Sequence, residues 1–331
     1  MTIRDKELLE RLDDTFELNF QLTRLYKSYL ERCPEIITKE LIDELCADGS
    51  VSKKDGLVAL LAEIFGVDAE RSVRDRIFIR DYIAPSVRLL DAERYTEDPY
   101  YKNVKIKNVK DGKWELRWES YAPYRGVIAG DMVISDDMRE YAPLGFFTEK
   151  FDFPAVLEDG NEWMTLTPVD MDTCQDAIAR ARGKVVTFGL GLGYFAYMAA
   201  SKDEVDEVTV VELSKDVIAL FKKHILPYFP FPEKIKIVNE DAFFYAKRQM
   251  PRERFDFAFV DTWRDASDGA PMYRRMKALE HLSPETEFSY WIENFLISRL
   301  RAEKYVGIRQ KLDTGTDLSY SDVIKGLKSI P

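Results

Sequence analysis

The sequence predicts an α/β protein with a doubly wound parallel sheet, preceded by a helical block and a small β-rich region. Three observations carry that prediction. Between Lys184 and Asp261 four short apolar runs recur at intervals of about one helix, each ending in glycine or an acid: Lys184–Phe188 before Gly189, Glu207–Val211 before Glu212, Ile235–Asn239 before Asp241, and Phe255–Val260 before Asp261. Buried parallel strands read this way, and their alternation with helices implies right-handed crossovers. Ahead of them, apolar residues recur at helical spacing as far as Asp91, and two Asp-Gly pairs then sit between alternating apolar residues. A chain of 331 residues is long enough for two domains and a large core. It divides on this reading into a helical segment 1–97, a β-rich segment 98–167 and an α/β segment 168–331.

In the helical segment, Leu8, Leu12, Phe16 and Phe20 mark one stripe of a helix that continues through Leu30 until Pro34 stops it. Glu35–Cys46 forms a second helix, and Ser52-Lys-Lys-Asp55 resembles a capping box opening a third that Gly66 closes. Asp68 can cap a fourth running toward Pro85. The long first helix offers a dimer seam, a substrate cap or packing within its own bundle. In the β-rich segment, Asp111-Gly112 joins Val104–Ile106 to Trp114–Trp118 and Asp159-Gly160 joins Phe153–Val156 to Trp163–Leu166, two hairpin signals. In the third segment, Asp172 can cap a helix through Arg182, ended by Gly183. Helices then read as Tyr194–Ala200, Asp216–Ile225, Phe243–Gln249, Met272–His281 and Asn294–Lys311, with a fifth strand at Glu287–Trp291 and a polar tail from Asp313. Only weak strand signals such as Tyr305–Ile308 follow, so the sheet either stops there or borrows a strand from the β-rich segment.

Composition removes several function classes. A net charge of −11 argues against general nucleic-acid binding, which draws its affinity from neutralised phosphates. Six basic residues between Lys102 and Arg117 are interleaved with acids and read as a solvated strand face. Cys33, Cys46 and Cys174 are too scattered for a disulfide framework or a zinc motif, and His224 and His281 stand alone near predicted helix ends. Cysteine–histidine and serine–histidine hydrolysis therefore have little to draw on. No apolar run approaches the ~20 residues that span a bilayer, and Met1–Lys6 is charged, so a cytoplasmic location is expected.

In open α/β sheets the ligand sits in the crevice beyond the carboxyl ends of the strands. Gly189-Leu-Gly191-Leu-Gly193 joins a buried strand to a helix and lets a ligand touch backbone. Glu212 is placed to accept from two ribose hydroxyls. Asp241 can accept from an exocyclic amine, with Ala242 and Phe243 as a flat apolar wall, and Asp261 ends the fourth strand beside the same crevice. The same glycines also permit close strand–helix packing, and the acids can equally cap helices. A dinucleotide site fits less well: its G-x-G-x-x-G pattern would need glycine where Tyr194 stands.

Taken together, Thr187-Phe-Gly189-Leu-Gly191-Leu-Gly193, Glu212, Glu240-Asp241-Ala and Asp261 resemble the successive motifs of class I S-adenosylmethionine-dependent methyltransferases, over roughly Thr173 to Trp291. The resemblance implies a Rossmann-type domain with S-adenosylmethionine as cofactor. Gly189, Gly191 and Gly193 would hold the methionine portion, Glu212 the ribose, and Asp241, Ala242 and Phe243 the adenine. Asp261 is the candidate catalytic residue, as a base or an orienting group for the acceptor. The family usually carries an acid two residues before its first glycine, where this chain has Thr187. No metal is expected: Asp261, Asp265 and Asp268 lack the Asp-Asn pair of metal-dependent O-methyltransferases. The β-rich segment and Asp261-Thr262 are also similar to spermidine-synthase-like aminopropyltransferases, whose glycine loop carries an acid where Leu190 and Leu192 stand here. A non-catalytic scaffold that binds the cofactor or a protein partner is the third reading. The expected partner is a small-molecule acceptor, with the N-terminal helices leaving room for a homo-oligomer.

Overall fold

The computed structural model describes residues 2–330, and their contacts divide them into two compact units. The first unit is discontinuous: it takes the chain up to Asp91, Tyr121–Phe151 and everything from Asn294 on. The second takes Ala92–Ser120 and Asp152–Glu293. This differs from the three consecutive segments expected at 1–97, 98–167 and 168–331.

The physical reason for the difference lies in the apolar residues of the first unit. Its long helix, Ile3–Arg32, opens with a Thr2/Asp5 capping box and buries Leu9, Leu12, Phe16, Leu22, Tyr26 and Tyr29 at helical spacing. Its first half packs with residues from the far end of the chain: Leu9, Leu12 and Phe16 share a core with Tyr305, Val323 and Leu327. Phe16 and Tyr305 stack with ring centroids 3.9 Å apart. The tail read as polar therefore contains a second amphipathic helix, Tyr320–Lys328, after Glu293–Asp313, and the weak strand signal at Tyr305–Ile308 is helical. The second half of the long helix joins a core with Leu57, Leu61, Phe78, Tyr82 and Phe146. The helix expected from Asp68 starts instead at Val73, capped by Ser72, and passes into a π-helical turn at Ile79–Ile83. A three-stranded sheet puts Leu144–Phe147 between Val87–Leu90 and Gly126–Ile128.

The second unit carries five parallel strands: β1 (Gly183–Phe188), β2 (Val205–Glu212), β3 (Ile235–Asn239), β4 (Phe257–Val260) and β5 (Glu287–Tyr290). Their order across the sheet is β3-β2-β1-β4-β5, each pair parallel. This is the order of the dinucleotide-binding doubly wound sheet over its first five strands, with the switch point between β1 and β4. No strand of the β-rich segment completes it. The helices are α1 (Pro168–Arg180), α2 (Tyr194–Ala200), α3 (Lys215–His224), α4 (Ala242–Arg248) and α5 (Ala266–Lys277). α1 starts four residues before Asp172 because Thr167 and Asp170 form the capping box. Both Asp-Gly turns are present: Val109–Asp111 pairs with Trp114–Tyr121, where Val104–Ile106 had been expected, and Phe151–Glu158 pairs with Asn161–Thr165. Among the described residues no helix is long and apolar enough to cross a membrane.

Candidate active site

Because all five strands run the same way, their carboxyl ends emerge along one edge of the sheet. The lateral order there is Asp241, Glu212, Gly189, Asp261 and Trp291, with neighbouring strands ~4.8 Å apart. These ends line a cavity of about 780 Å³, within the range of small-molecule sites. Further walls come from Glu162–Thr165 of the second hairpin, the first turn of α1, and Asp268 and Met272 of α5. Of the residues singled out in the sequence, Gly189, Gly191, Glu212, Asp241, Ala242, Phe243 and Asp261 line this cavity.

Gly193 does not. It sits at the start of α2 with φ +77°, and a Cβ there would overlap the Phe221 ring. The other two loop glycines also have protein where a Cβ would stand: the Asp261 carbonyl against Gly189 and Met164 Sδ against Gly191. Close packing thus accounts for all three glycines, and Met164 covers the middle of the loop. From the far side the loop is pinned by Tyr100, fully buried, whose hydroxyl donates to the Leu192 carbonyl at 2.6 Å. Tyr194 donates to Asp98 at 3.0 Å and accepts from Gln175 at 2.9 Å. Burial raises the pKa of Asp98 above the ordinary carboxylate value.

Glu212 is buried, and its two oxygens accept from the Leu190 amide at 3.1 Å and the Ser214 amide at 2.7 Å. Burial raises its pKa as well, against those hydrogen bonds. Asp241 caps α4 by accepting from the Phe244 amide at 2.8 Å. Phe243 presents one ring face to the Arg275 guanidinium, 3.8 Å from the centroid, so only the rest of its surface remains for a ligand. Leu213, 70% exposed, lines the cavity next to Glu212.

Asp261 has no hydrogen-bond donor to its carboxylate among the described residues. Burial pushes its pKa up to about 8, with the Asp170 and Glu212 carboxylates adding to the shift. Asp170, which accepts from the Thr167 amide and hydroxyl at 2.8 Å each, is pushed up by burial to about 6. Cys174, one turn further along α1, is raised well above its usual value by burial and then by Asp261 and Asp170. A small recess of about 20 Å³ lined by Thr187, Cys174, Asp170, Asp261 and Trp291 adjoins these groups. Asp265 and Asp268 are occupied in the capping box of α5. Among the described residues no group of three or more His, Cys, Asp or Glu is arranged to hold a metal ion.

The sequence reading did not place Met164, Asp170, Leu213 or Trp291 at the cavity. Thr167-Pro-Val-Asp170 was readable as a capping box, and Trp291 follows directly on the fifth strand. The contribution of Met164 depends on how the hairpin folds over the loop, which no local signal encodes.

No family model matches this sequence, and no curated protein matches it. Solved structures do. A spermidine synthase from Thermotoga maritima aligns at TM-score 0.33 and 14% identity, over 60% of this chain and 71% of that one. A Streptococcus mutans protein assigned as a SAM-dependent methyltransferase aligns at 0.32 and 19%, over 50% and 44%. A precorrin 8W decarboxylase from Methanobacterium thermoautotrophicum aligns at 0.27 and 15%, over 46% and 74%.

Proposed function

We propose that this protein is a class I SAM-dependent methyltransferase acting on a small-molecule acceptor. The observation that carries the reading is the convergence of the glycine loop, Glu212, Asp241 and Asp261 on one cavity at the carboxyl edge of a 3-2-1-4-5 parallel sheet. The cavity's chemistry suits the cofactor. Glu212, buried at the end of β2, keeps acceptor capacity beyond its two amide bonds for the ribose hydroxyls. The Asp241 oxygen not used in capping is available to an exocyclic amine, and Ala242, Leu213 and the open part of Phe243 form an apolar wall for the base. The acid that the resemblance expects at Thr187 is absent, but Asp170 reaches the same cavity from α1.

S-adenosylmethionine, when bound, supplies an electrophilic methyl carbon on a sulfonium sulfur. The protein's part is orientation and exclusion of water, together with removal of any proton the acceptor must lose. Asp261 suits that last role in its ionised form, since a carboxylate whose pKa is pushed up to about 8 is a stronger base than an ordinary one and becomes available as pH rises past neutral.

A second reading, aminopropyl transfer of the spermidine-synthase kind, is favoured by one observation, the surplus of acids around the cavity. Calorimetric titration with S-adenosylhomocysteine, decarboxylated S-adenosylmethionine and NAD, on the wild type and on Glu212→Ala, separates the readings. Tight binding of S-adenosylhomocysteine that Glu212→Ala weakens by at least tenfold supports methyl transfer, and preference for the decarboxylated compound supports the alternative. A folded protein that binds none of them would leave a scaffold role.

A further inference from the structure

We propose that Met164 is a specificity-determining gate on the glycine loop, lying on Gly191 until a ligand that carries a carboxylate displaces it. A bare nucleoside then enters the cavity with Met164 in place, and a nucleoside bearing an amino-acid tail enters only by moving it. The proposal rests on the methyltransferase reading for the identity of that tailed ligand, S-adenosylmethionine; the contact between Met164 and the loop does not.

The hairpin strand Asn161–Thr165 is short, mostly half-exposed or exposed, and stands at the edge of its sheet, paired with Phe151–Glu158. Its register breaks beside Met164: Val156 pairs with Met164 and Leu157 with Glu162, which leaves Trp163 as an extra residue. A bulge of this kind re-aims a side chain and is over-represented next to active sites. Here it accompanies a methionine laid across the loop, with Sδ and Cε both standing where a Cβ on Gly191 would be. Met164 lines the large cavity and also the adjoining recess of about 20 Å³. That recess has room for about one water molecule, too little for the end of an amino acid while Met164 stays where it is.

The amides of the loop say which ligand opens the gate. Gly189 donates to the Val211 carbonyl at 2.9 Å, Leu190 to Glu212 at 3.1 Å and Gly193 to the Leu190 carbonyl at 2.8 Å, all within the protein. The Gly191 amide has no acceptor among the described residues, and what lies on that residue is a thioether, a weak acceptor. A backbone amide left this way favours a better partner. A ligand shifts a conformational equilibrium only through contacts that differ between its two states. A carboxylate gains the Gly191 amide when Met164 leaves, whereas a nucleoside without a tail gains nothing there. Methionine suits the part, because an unbranched, adaptable side chain can leave by a change of rotamer while the hairpin stays paired. A β-branched residue would be held in place by its χ1.

The experiment is calorimetry of S-adenosylhomocysteine and adenosine on the wild type, Met164→Ala and Met164→Ile, with carbon-13 methyl spectra of protein labelled at its nine methionines. Met164→Ala should bind S-adenosylhomocysteine at least threefold tighter than the wild type, and Met164→Ile at least tenfold more weakly. Adenosine affinity should stay within about twofold in all three. One methyl resonance, identified by its loss in Met164→Ala, should move when S-adenosylhomocysteine binds and stay close to its free position with adenosine. If S-adenosylhomocysteine binds the wild type and Met164→Ala alike, or Met164→Ala weakens it, Met164 is a fixed wall: the gate is overturned and the cofactor reading stands. Equal effects of the variants on adenosine overturn the gate as well. If Met164→Ala takes S-adenosylhomocysteine and the wild type does not, the gate stands and the methyltransferase reading falls. If S-adenosylhomocysteine binds neither folded protein, both fall.

Discussion

Glu212 ties the end of β2 to the glycine loop through the Leu190 amide, 3.1 Å from its Oε2, while its other oxygen accepts from Ser214. One side chain thus sets the loop and faces the cavity. Glu212→Ala leaves two amides without their acceptor, at ~1–3 kcal/mol for each that stays dry. The variant should melt several degrees lower and bind S-adenosylhomocysteine at least tenfold more weakly. Glu212→Gln should retain more of the stability than of the affinity.

Stability should fall with rising pH because of Asp261. Its pKa lies above the unfolded value, so between about 4 and about 8 the folded protein holds a proton that the unfolded chain has released. The stabilisation is complete at the acid end of that window and is lost as pH rises through it. Asp170, pushed up to about 6, acts in the same direction over its lower part. Melting temperatures from pH 5 to 8.5 should show Asp261→Asn gaining on the wild type as pH rises and levelling off near the top. A constant difference across the range would contradict the assignment.

Alanine substitutions within the glycine loop should differ in cost. At Gly191, φ +50°, the obstacle is the end of a flexible methionine, so Ala costs little beyond the ~1–2 kcal/mol of a left-handed backbone. At Gly193, φ +77°, the obstacle is the Phe221 ring in the core, adding overpacking of ~1–3 kcal/mol. Urea denaturation should rank Gly193→Ala as clearly the less stable.

Tyr100 acts on the loop from behind. Tyr100→Phe removes the donor to a buried Leu192 carbonyl, a loss of ~1 kcal/mol in stability. With the loop less firmly held, S-adenosylhomocysteine affinity should fall severalfold, a change that calorimetry reads separately from the melting curve.

In the first unit, Glu140 and Arg301 form a buried ion pair, completed by Ser298 donating to Glu140 at 2.6 Å. Arg301→Met strands the carboxylate and should cost ~3–5 kcal/mol. Adding Glu140→Leu should recover most of that loss, since an apolar pair of similar size is close to neutral. Chemical denaturation of the two variants checks both statements.

The sheet was legible in the sequence because its strands are short apolar runs, of which β1, β2 and β4 are largely buried and the first four lead into a glycine or an acid; helix Tyr194–Ala200 carries the bounds read from the sequence. The strand ends named the cavity wall for the same reason. What sequence reading missed are long-range placements. Met164 lies over Gly191 only once the hairpin has folded, and Asp170 reaches Asp261 only through the position of α1. The residues Tyr305, Val323 and Leu327 belong with Leu9, Leu12 and Phe16 across about three hundred positions, a pairing to which no local pattern points. The glycine pattern reads both as an opening for a ligand and as room for close packing: Gly189 and Gly191 line the cavity, and at all three positions protein atoms stand where a Cβ would.

That pairing of the chain's two ends bears on how the molecule is made. During synthesis the second unit has all of its residues once Glu293 has emerged, while Leu9, Leu12 and Phe16 of the first helix still lack the side chains that cover them. A helix that precedes the whole second unit in the chain is therefore sealed only after that unit is complete. A chain halted before Tyr320 would carry a fully encoded cavity together with an N-terminal helix whose apolar stripe is half bare, an aggregation-prone product of arrested translation.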